Sequence, residues 1–185
     1  MNARVVVAGV LAGIVVFVWG AISHMVLPLG EVGVGPLPAQ ETVLDVLADH
    51  VDERRIYIYP WFEDEARQQQ AWADYPHGIL ALSPPTGPFS FGRALVMEGA
   101  SNIVGGILAA FLFVAMGPAV AGWGRRVIFG AVLGCFATVA IDLSYWNWYG
   151  FPTEYLAAQL VDSIIAWSLA ALVIGWWLGR GARTP

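Results

Sequence analysis

The chain alternates long apolar runs with one long polar segment. A helix needs about 20 apolar residues to cross the hydrocarbon core of a bilayer. Four runs meet that requirement, and no other stretch is long or apolar enough. They cover residues 5–26, 94–116, 127–145 and 155–178. The pattern therefore predicts an all-α integral membrane protein built as a bundle of four transmembrane helices.

The first apolar run has two interpretations. Ala21, Ile22 and Ser23 resemble the small-residue cleavage site of a secretory signal peptide. However, the run is longer than the roughly 7–15 residues of a signal core, and only Arg4 precedes it. We expect residues 1–26 to form a retained transmembrane helix, with a cleaved signal peptide as the alternative.

Positive and negative charges are segregated along the chain. Residues 1–4, 117–126 and 179–185 carry five arginines and no acid, whereas residues 27–93 carry ten acids and four arginines. Because positive residues stay on the cytoplasmic side of a membrane, both termini are expected there. Residues 27–93 then lie outside, and residues 94–185 return as helices 2–4. All nine cations are arginine and no organelle signal is visible, which favours a bacterial inner membrane.

Small residues recur one helical turn apart in every span. Lipid gives no hydrophobic drive for helix association, so close backbone approach must supply the contact energy. The alternative is that Gly and Ala are merely frequent in membrane helices. The pairs and triplets are Gly9-xxx-Gly13, Ser101-xxx-Gly105-xxx-Ala109, Gly130-xxx-Gly134 and Ala171-xxx-Gly175.

The segment of residues 27–93 has a pattern of its own. An amphipathic helix is predicted at residues 39–51 and a second helix at 62–75, with β-forming runs at 55–59 and 78–83. We therefore expect a small α+β extracytoplasmic cap whose two strands pair. Its aromatic residues either contact the bundle or a partner, or form the core of the cap. They are Tyr57, Tyr59, Trp61, Phe62 and Trp72.

Composition excludes several classes of protein. The chain is 58% hydrophobic and 12% charged, against roughly 45–50% and 25% in soluble domains. A net charge of −5 without a basic face argues against a nucleic-acid partner. The single cysteine, Cys135, rules out an internal disulfide. The expected partners are the lipid bilayer and a membrane protein or a second copy of this chain.

The ionisable side chains of the predicted spans, together with Asn102 and Gln159, gather toward the outer side. At 1.5 Å per residue, all fall within about 12 Å of the outer boundary. A carboxylate at the bilayer centre costs about 2.5–3.5 kcal/mol, and less toward the interface. We therefore predict that these residues line one outward-facing acidic cavity. They are His24, Glu98, Asn102, Asp142, Gln159 and Asp162.

This cavity has three interpretations. Imidazole and carboxylates together suit a divalent ion such as Zn, Fe or Mn, with His24, Glu98, Asp142 and Asp162 as the metal ligands. The same residues also suit a proton relay or the polar floor of a small-molecule pocket. The third interpretation is structural, with the interfacial acids bonded to Tyr, Trp and Asn side chains and the His24 ring bonded to loop backbone.

The segment of residues 145–154, which joins the third and fourth spans, is the densest aromatic signal. Trp148 and Tyr149 are predicted to line the ligand site as a lid over the acidic cavity. The alternative is an aromatic belt at the interface with a capped turn.

Three functions follow from these observations. The first is a membrane protein that binds a cation or small ligand in the acidic cavity, as a carrier or sensor. The second is an accessory or scaffold subunit of a larger membrane complex. The third is a metal-dependent membrane enzyme with a divalent metal as cofactor. No nucleotide-binding or catalytic-triad motif is present, which favours a protein without catalytic activity.

Overall fold

Residues 2–180 are described by a computed structural model. The chain is mostly helical, with a small two-stranded sheet. Short 3-10 turns at Leu29–Glu31 and Gly117–Val120 join longer elements. In chain order the elements are α1 (Ala3–Met25), α2 (Gln40–His50), β1 (Arg55–Tyr59), α3 (Glu65–Asp74), β2 (Gly78–Leu82), α4 (Phe91–Met116), α5 (Trp123–Ala140), α6 (Asp142–Tyr149) and α7 (Thr153–Gly179).

Four helical segments are long and apolar enough to cross a membrane, as the sequence predicts. They are Ala3–Met25, Phe91–Val120, Trp123–Tyr149 and Thr153–Gly179. The third is longer than predicted, because α6 continues it after a change in helix geometry at Ile141 (φ −118°, ψ −65°). Gly150 then ends α6 in a left-handed conformation (φ 71°), which a residue without a Cβ adopts at low cost.

Two of these helices, α1 and α7, each pack extensively on two others. α1 packs on α4 and on α7, and α7 packs in turn on α5. The other two long helices, α4 and α5, meet through Phe113 and Phe129, whose rings pack edge to face with centroids 5.7 Å apart. Going around the bundle, the neighbouring helices are therefore α4, α1, α7 and α5, and the ring pair brings α5 back to α4.

Glycines bring the backbones of α1 and α4 into direct contact. A Cβ placed on Gly13 would lie 2.5 Å from Cα of Ile103, and one placed on Gly9 would collide with the backbone of Ile107. On α4 the closest small residue is Gly106, which faces the backbone of both α1 glycines. The Gly9-xxx-Gly13 motif is thus a packing motif, whereas Ser101 of the predicted α4 motif is exposed.

The contact between α5 and α7 is built in the same way. Gly130 lies against the backbone of Trp167 and Ser168, and Gly134 lies against that of Ser163 and Ile164. A Cβ on Gly134 would come within 2.5 Å of the Ser163 carbonyl oxygen. Both helix pairs therefore associate at distances that only glycine permits, as the spacing of small residues predicts.

Alanines make up much of the bundle interior, together with a few larger side chains such as Phe113 and Ile174, while many large apolar side chains face outward. Val104 and Leu108 of α4 and Val132 and Phe136 of α5 are exposed, Phe136 to 71% of its surface. A soluble helical protein buries such residues in preference to alanine. The distribution is compatible with helices surrounded by lipid. The buried alanines of the four long helices are Ala8, Ala12, Ala109, Ala110, Ala158, Ala166, Ala170 and Ala171.

The two ends of the bundle differ in charge. We call one the arginine end, because the helix termini that meet there bring together Arg4, Arg125, Arg126 and Arg180. Arg4 closes it by donating from Nη2 to the carbonyl of Trp177 at 3.2 Å. The opposite end, from which residues 27–90 project, is the cap end.

The cap contains the predicted pair of strands. β1 and β2 are antiparallel, with Arg55 opposite Leu82 and Tyr59 opposite Gly78. Among residues 27–90, only Ala71 is buried. Trp61 is exposed over 70% of its surface and Trp72 over 53%. The interpretation that the cap aromatics form its own core is therefore wrong for these two tryptophans.

Glycine-to-alanine substitutions at two positions of α1 distinguish the effect of the α1–α4 contact on stability from the effect of helix propensity. We expect Gly13→Ala to lower the free energy of unfolding by about 1–3 kcal/mol, because the added methyl group collides with α4. Gly20→Ala in the same helix is the matched control, since nothing lies within 4 Å of a Cβ there. It should be neutral or stabilise by up to about 1 kcal/mol. Sodium dodecyl sulfate titration in mixed micelles measures both, and equal stability of the two variants would contradict the packing role.

Candidate functional site

A cleft between α1 and α4 at the cap end contains three of the predicted site residues. Its volume is about 400 Å³. Side chains spaced three and four residues apart share one face of a helix, which is how each helix contributes one wall. α1 supplies Phe17, Gly20, Ala21, His24 and Met25, and α4 supplies Phe91, Leu95, Glu98 and Asn102. We call this space the α1–α4 cleft.

The ring of His24 is held by contacts within its own helix and by the following turn. Nδ1 lies 3.0 Å from the carbonyl oxygen of Gly20 and 2.8 Å from Oγ of Ser23. Gly30 packs directly on the ring, where a Cβ would collide with Cδ2. A proton on Nδ1 satisfies the Gly20 carbonyl, and that tautomer leaves Nε2 as a hydrogen-bond acceptor.

The carboxylate of Glu98 has one polar partner within the described residues. Asn102 lies one turn further along α4 and donates from Nδ2 to Oε1 at 3.0 Å. The one ion pair between described residues joins Arg55 to Glu53 in the cap. Glu98 therefore has no cation from residues 2–180, although Arg93 lies nearby in the sequence.

Asp162, the acid deepest in the predicted spans, lies elsewhere. Trp19 of α1 donates from Nε1 to its Oδ1 at 2.8 Å, which joins α1 to α7. Trp19 follows Phe17 by two residues, a rotation of about 200° around the helix. Asp162 therefore lies on the opposite side of α1 from the α1–α4 cleft. Gln159 is half-buried one turn earlier in α7.

Trp19 is the residue that sequence reasoning missed. An indole N–H buried in an apolar helix needs an acceptor, and Trp19 lies well inside the first span. The need of the Trp19 indole N–H for an acceptor is a signal in the sequence that indicates a polar contact with a neighbouring helix. It predicts that some acceptor on a neighbouring helix faces α1, although spacing alone does not choose Asp162.

Asp142 and the aromatic turn form a third location. Asp142 is half-buried at the start of α6 and does not line the α1–α4 cleft. Tyr145 packs on Tyr149 and on Phe151, with ring centroids 5.8 and 5.3 Å apart. Trp148 is exposed over 75% of its surface. The aromatic turn is therefore a packed connection between α6 and α7 at the cap end, with Tyr145, Tyr149 and Phe151 in contact.

A groove of about 440 Å³ separates this connection from the cap. Tyr149 and Tyr155 line it from the bundle, and Tyr59 and His77 line it from the cap. Its lining includes none of the residues of the α1–α4 cleft. The structure thus places Tyr149 beneath the cap rather than over His24 and Glu98.

The four residues predicted as metal ligands are distributed over these three locations. Within residues 2–180, no three His, Cys, Asp or Glu side chains come together in an arrangement that could hold a metal ion. His24 and Glu98 share a cleft, Asp162 is bonded to Trp19, and Asp142 lies at the α5–α6 junction. The arrangement offers one partly polar cleft rather than a common acidic cavity.

Comparison with known proteins adds no relative: no family model, curated protein or solved structure matches this chain. Functional conclusions therefore depend on the geometry of the chain itself.

The bond between Trp19 and Asp162 predicts a measurable coupling. Trp19→Phe removes the donor and Asp162→Ala removes the acceptor, so a double-mutant cycle isolates the interaction. We expect a coupling free energy near 0.6 kcal/mol and at most about 1.7 kcal/mol, the range for hydrogen bonds between membrane helices. Asp162→Asn keeps the acceptor oxygen and should retain most of the stability. Strict additivity of the two single variants in detergent unfolding would show that the bond contributes nothing.

Proposed function

We propose that the chain is an integral membrane protein with both termini on the cytoplasmic side of a bacterial inner membrane. Two observations support this proposal, the first for membrane insertion and the second for the orientation. Large apolar side chains cover the outside of the four long helices, and the arginine end carries four cations without an acid. The cap end then faces outward, and the α1–α4 cleft opens in the outer half of the bilayer.

We propose that the α1–α4 cleft binds a small amphiphile with a cationic head. The observation that carries this proposal is the composition of its walls. Phe17, Phe91 and Leu95 make most of the lining apolar, while Glu98 presents a carboxylate that no described cation pairs with. A charge in lipid is stabilised by an opposite charge, and a bound ammonium group supplies one. His24 Nε2 adds an acceptor for its N–H groups.

The shape of the cleft favours a binding or sensing role over that of a carrier. Below the cleft, Gly13 meets the backbone of Asn102 and Ile103, and the contact continues through Gly9 and Gly106. This contact closes the helix pair toward the arginine end. A carrier requires a second opening on that side, whereas a sensor needs only the outer one.

A second function, that of an accessory subunit, is supported by a different observation. The cap exposes Trp61, Trp72 and Tyr75 and buries only Ala71. An isolated two-stranded ribbon is marginally stable. A partner protein that covers these aromatics would supply the burial that the cap lacks, since aromatic residues carry much of the binding energy at protein interfaces.

Ligand binding in the cleft is tested with hexylammonium as the probe and protein in phosphatidylcholine nanodiscs. We expect saturable binding to the wild type and at least about 10-fold weaker binding to Glu98→Gln, because hydrogen bonds to a charged group contribute about 1.5–3 kcal/mol. Glu154→Gln, in the exposed first turn of α7, is the matched control and should bind normally. Saturation-transfer NMR measures the affinities. Equal affinity of wild type and Glu98→Gln, or equally tight binding of hexanoate, would rule out the cationic-head proposal.

The accessory role predicts that a partner shields the cap. Trypsin cleaves after arginine, and Arg54, Arg55 and Arg67 are exposed in the cap. We expect cleavage there at least about 10-fold slower in fragmented native membranes than in purified protein in mild detergent. Size measurement of the purified chain distinguishes a self-associated form from a monomer. Equal cleavage rates, with a monomer after purification, would contradict a covering partner.

A further inference from the structure

A pocket at the arginine end carries an inference that is independent of the α1–α4 cleft. It has a volume of about 270 Å³ and lies between the start of α5 and the last turn of α7. Arg126 comes from α5, and the other lining residues are Gly175, Trp176, Gly179 and Arg180. Two arginine side chains therefore line one small space.

Gly175 allows the side chain of Arg126 to lie across α7. A Cβ at Gly175 would come within 2.5 Å of Arg126 Cδ and 2.7 Å of Cζ. The Nε atom of Arg126 is buried and bonds to no described residue. A buried donor without an acceptor is costly, and Arg126 also lines the pocket, where an anion from outside the chain would pair with its charge.

Arg180 is positioned by an aromatic ring. Its guanidinium carbon lies 3.9 Å from the centroid of the Trp176 ring, a cation–π distance. Tryptophan is enriched at the depth where lipid headgroups meet the hydrocarbon core. The pocket therefore lies at the level of lipid phosphates when the bundle is inserted in a membrane.

The surrounding sequence supplies no counter-charge. Residues 2–10, 113–133 and 168–180, which form this end of the bundle, contain no Asp or Glu. Arginine presents several N–H donors in a plane that matches the oxygens of a phosphate group. Basic pockets between transmembrane helices on the cytoplasmic side bind anionic lipid headgroups.

We propose that Arg126 and Arg180 bind the phosphate group of an anionic phospholipid in the inner leaflet. Gly175 is a positioning residue, because its missing Cβ makes room for Arg126. The inference depends on membrane insertion in the orientation described above, but not on ligand binding in the α1–α4 cleft.

The test uses the purified full chain in neutral detergent, with phosphatidylglycerol as the probe and phosphatidylcholine as the reference lipid. Native mass spectrometry counts the lipids retained. We expect one phosphatidylglycerol to be held at least about 10-fold more tightly than phosphatidylcholine. Arg126→Gln should lose this preference, whereas Arg125→Gln should keep it. Arg125 is the matched control, since it carries the same charge in the same helix and does not line the pocket.

Two further variants keep the test decisive if Arg126→Gln folds poorly. Arg180 is exposed at the end of α7. The Arg180→Gln variant should therefore lose the preference for phosphatidylglycerol without loss of stability. Gly175→Ala leaves the net charge unchanged. It should also weaken the preference for phosphatidylglycerol, because the added methyl group displaces Arg126. Equal effects of Arg125→Gln and Arg126→Gln, or the absence of any preference for phosphatidylglycerol, would overturn the proposal. Displacement of the lipid by inorganic phosphate at equal concentration would identify free phosphate as the ligand and overturn the lipid assignment. Hexylammonium binding should be unchanged in all these variants.

Discussion

Backbone contact through glycine is the constraint on which the structure depends. In lipid, apolar side chains gain little by leaving the solvent for each other, so helices must gain contact energy by close approach. Gly13 and Gly106 allow this for α1 and α4, and Gly130 and Gly134 allow it for α5 and α7. The bundle is thus two tight helix pairs, joined where α1 meets α7.

The same contact determines where a ligand can bind. α1 and α4 touch at backbone level as far as Gly13 and Asn102, so no space exists between them toward the arginine end. Beyond that point the α1–α4 cleft opens, with Phe17 and Phe91 among its apolar lining residues and His24 and Glu98 among its polar ones. The α1–α4 cleft is therefore a consequence of packing that stops partway along the pair.

The sequence predicted the elements more completely than their relation in space. Apolar run length identified all four long helices, and short runs of β-forming residues located both strands, because these signals are local. The separation of Asp162 from Glu98 was not predictable in this way. It depends on Trp19 facing α7 while Phe17 faces α4, and a single span carries no information about which neighbour each face meets.

The polar side chains of the spans also show why the acids need not share one cavity. A carboxylate in an apolar helix needs stabilisation, yet one indole N–H supplies it for Asp162 at 2.8 Å, and no shared cavity is required. Glu98 has only Asn102, and Arg126 has a buried Nε without a described acceptor. These two groups have opposite charge and lie at opposite ends of the bundle. Buried atoms without a partner among residues 2–180 also include Thr138 Oγ1 and Trp177 Nε1. Because a buried polar group is costly when unpaired, an acceptor for Arg126 from the surroundings would stabilise the fold. The carboxylate of Glu98 is exposed, so a cation at the cap end would act on stability only where lipid surrounds that carboxylate.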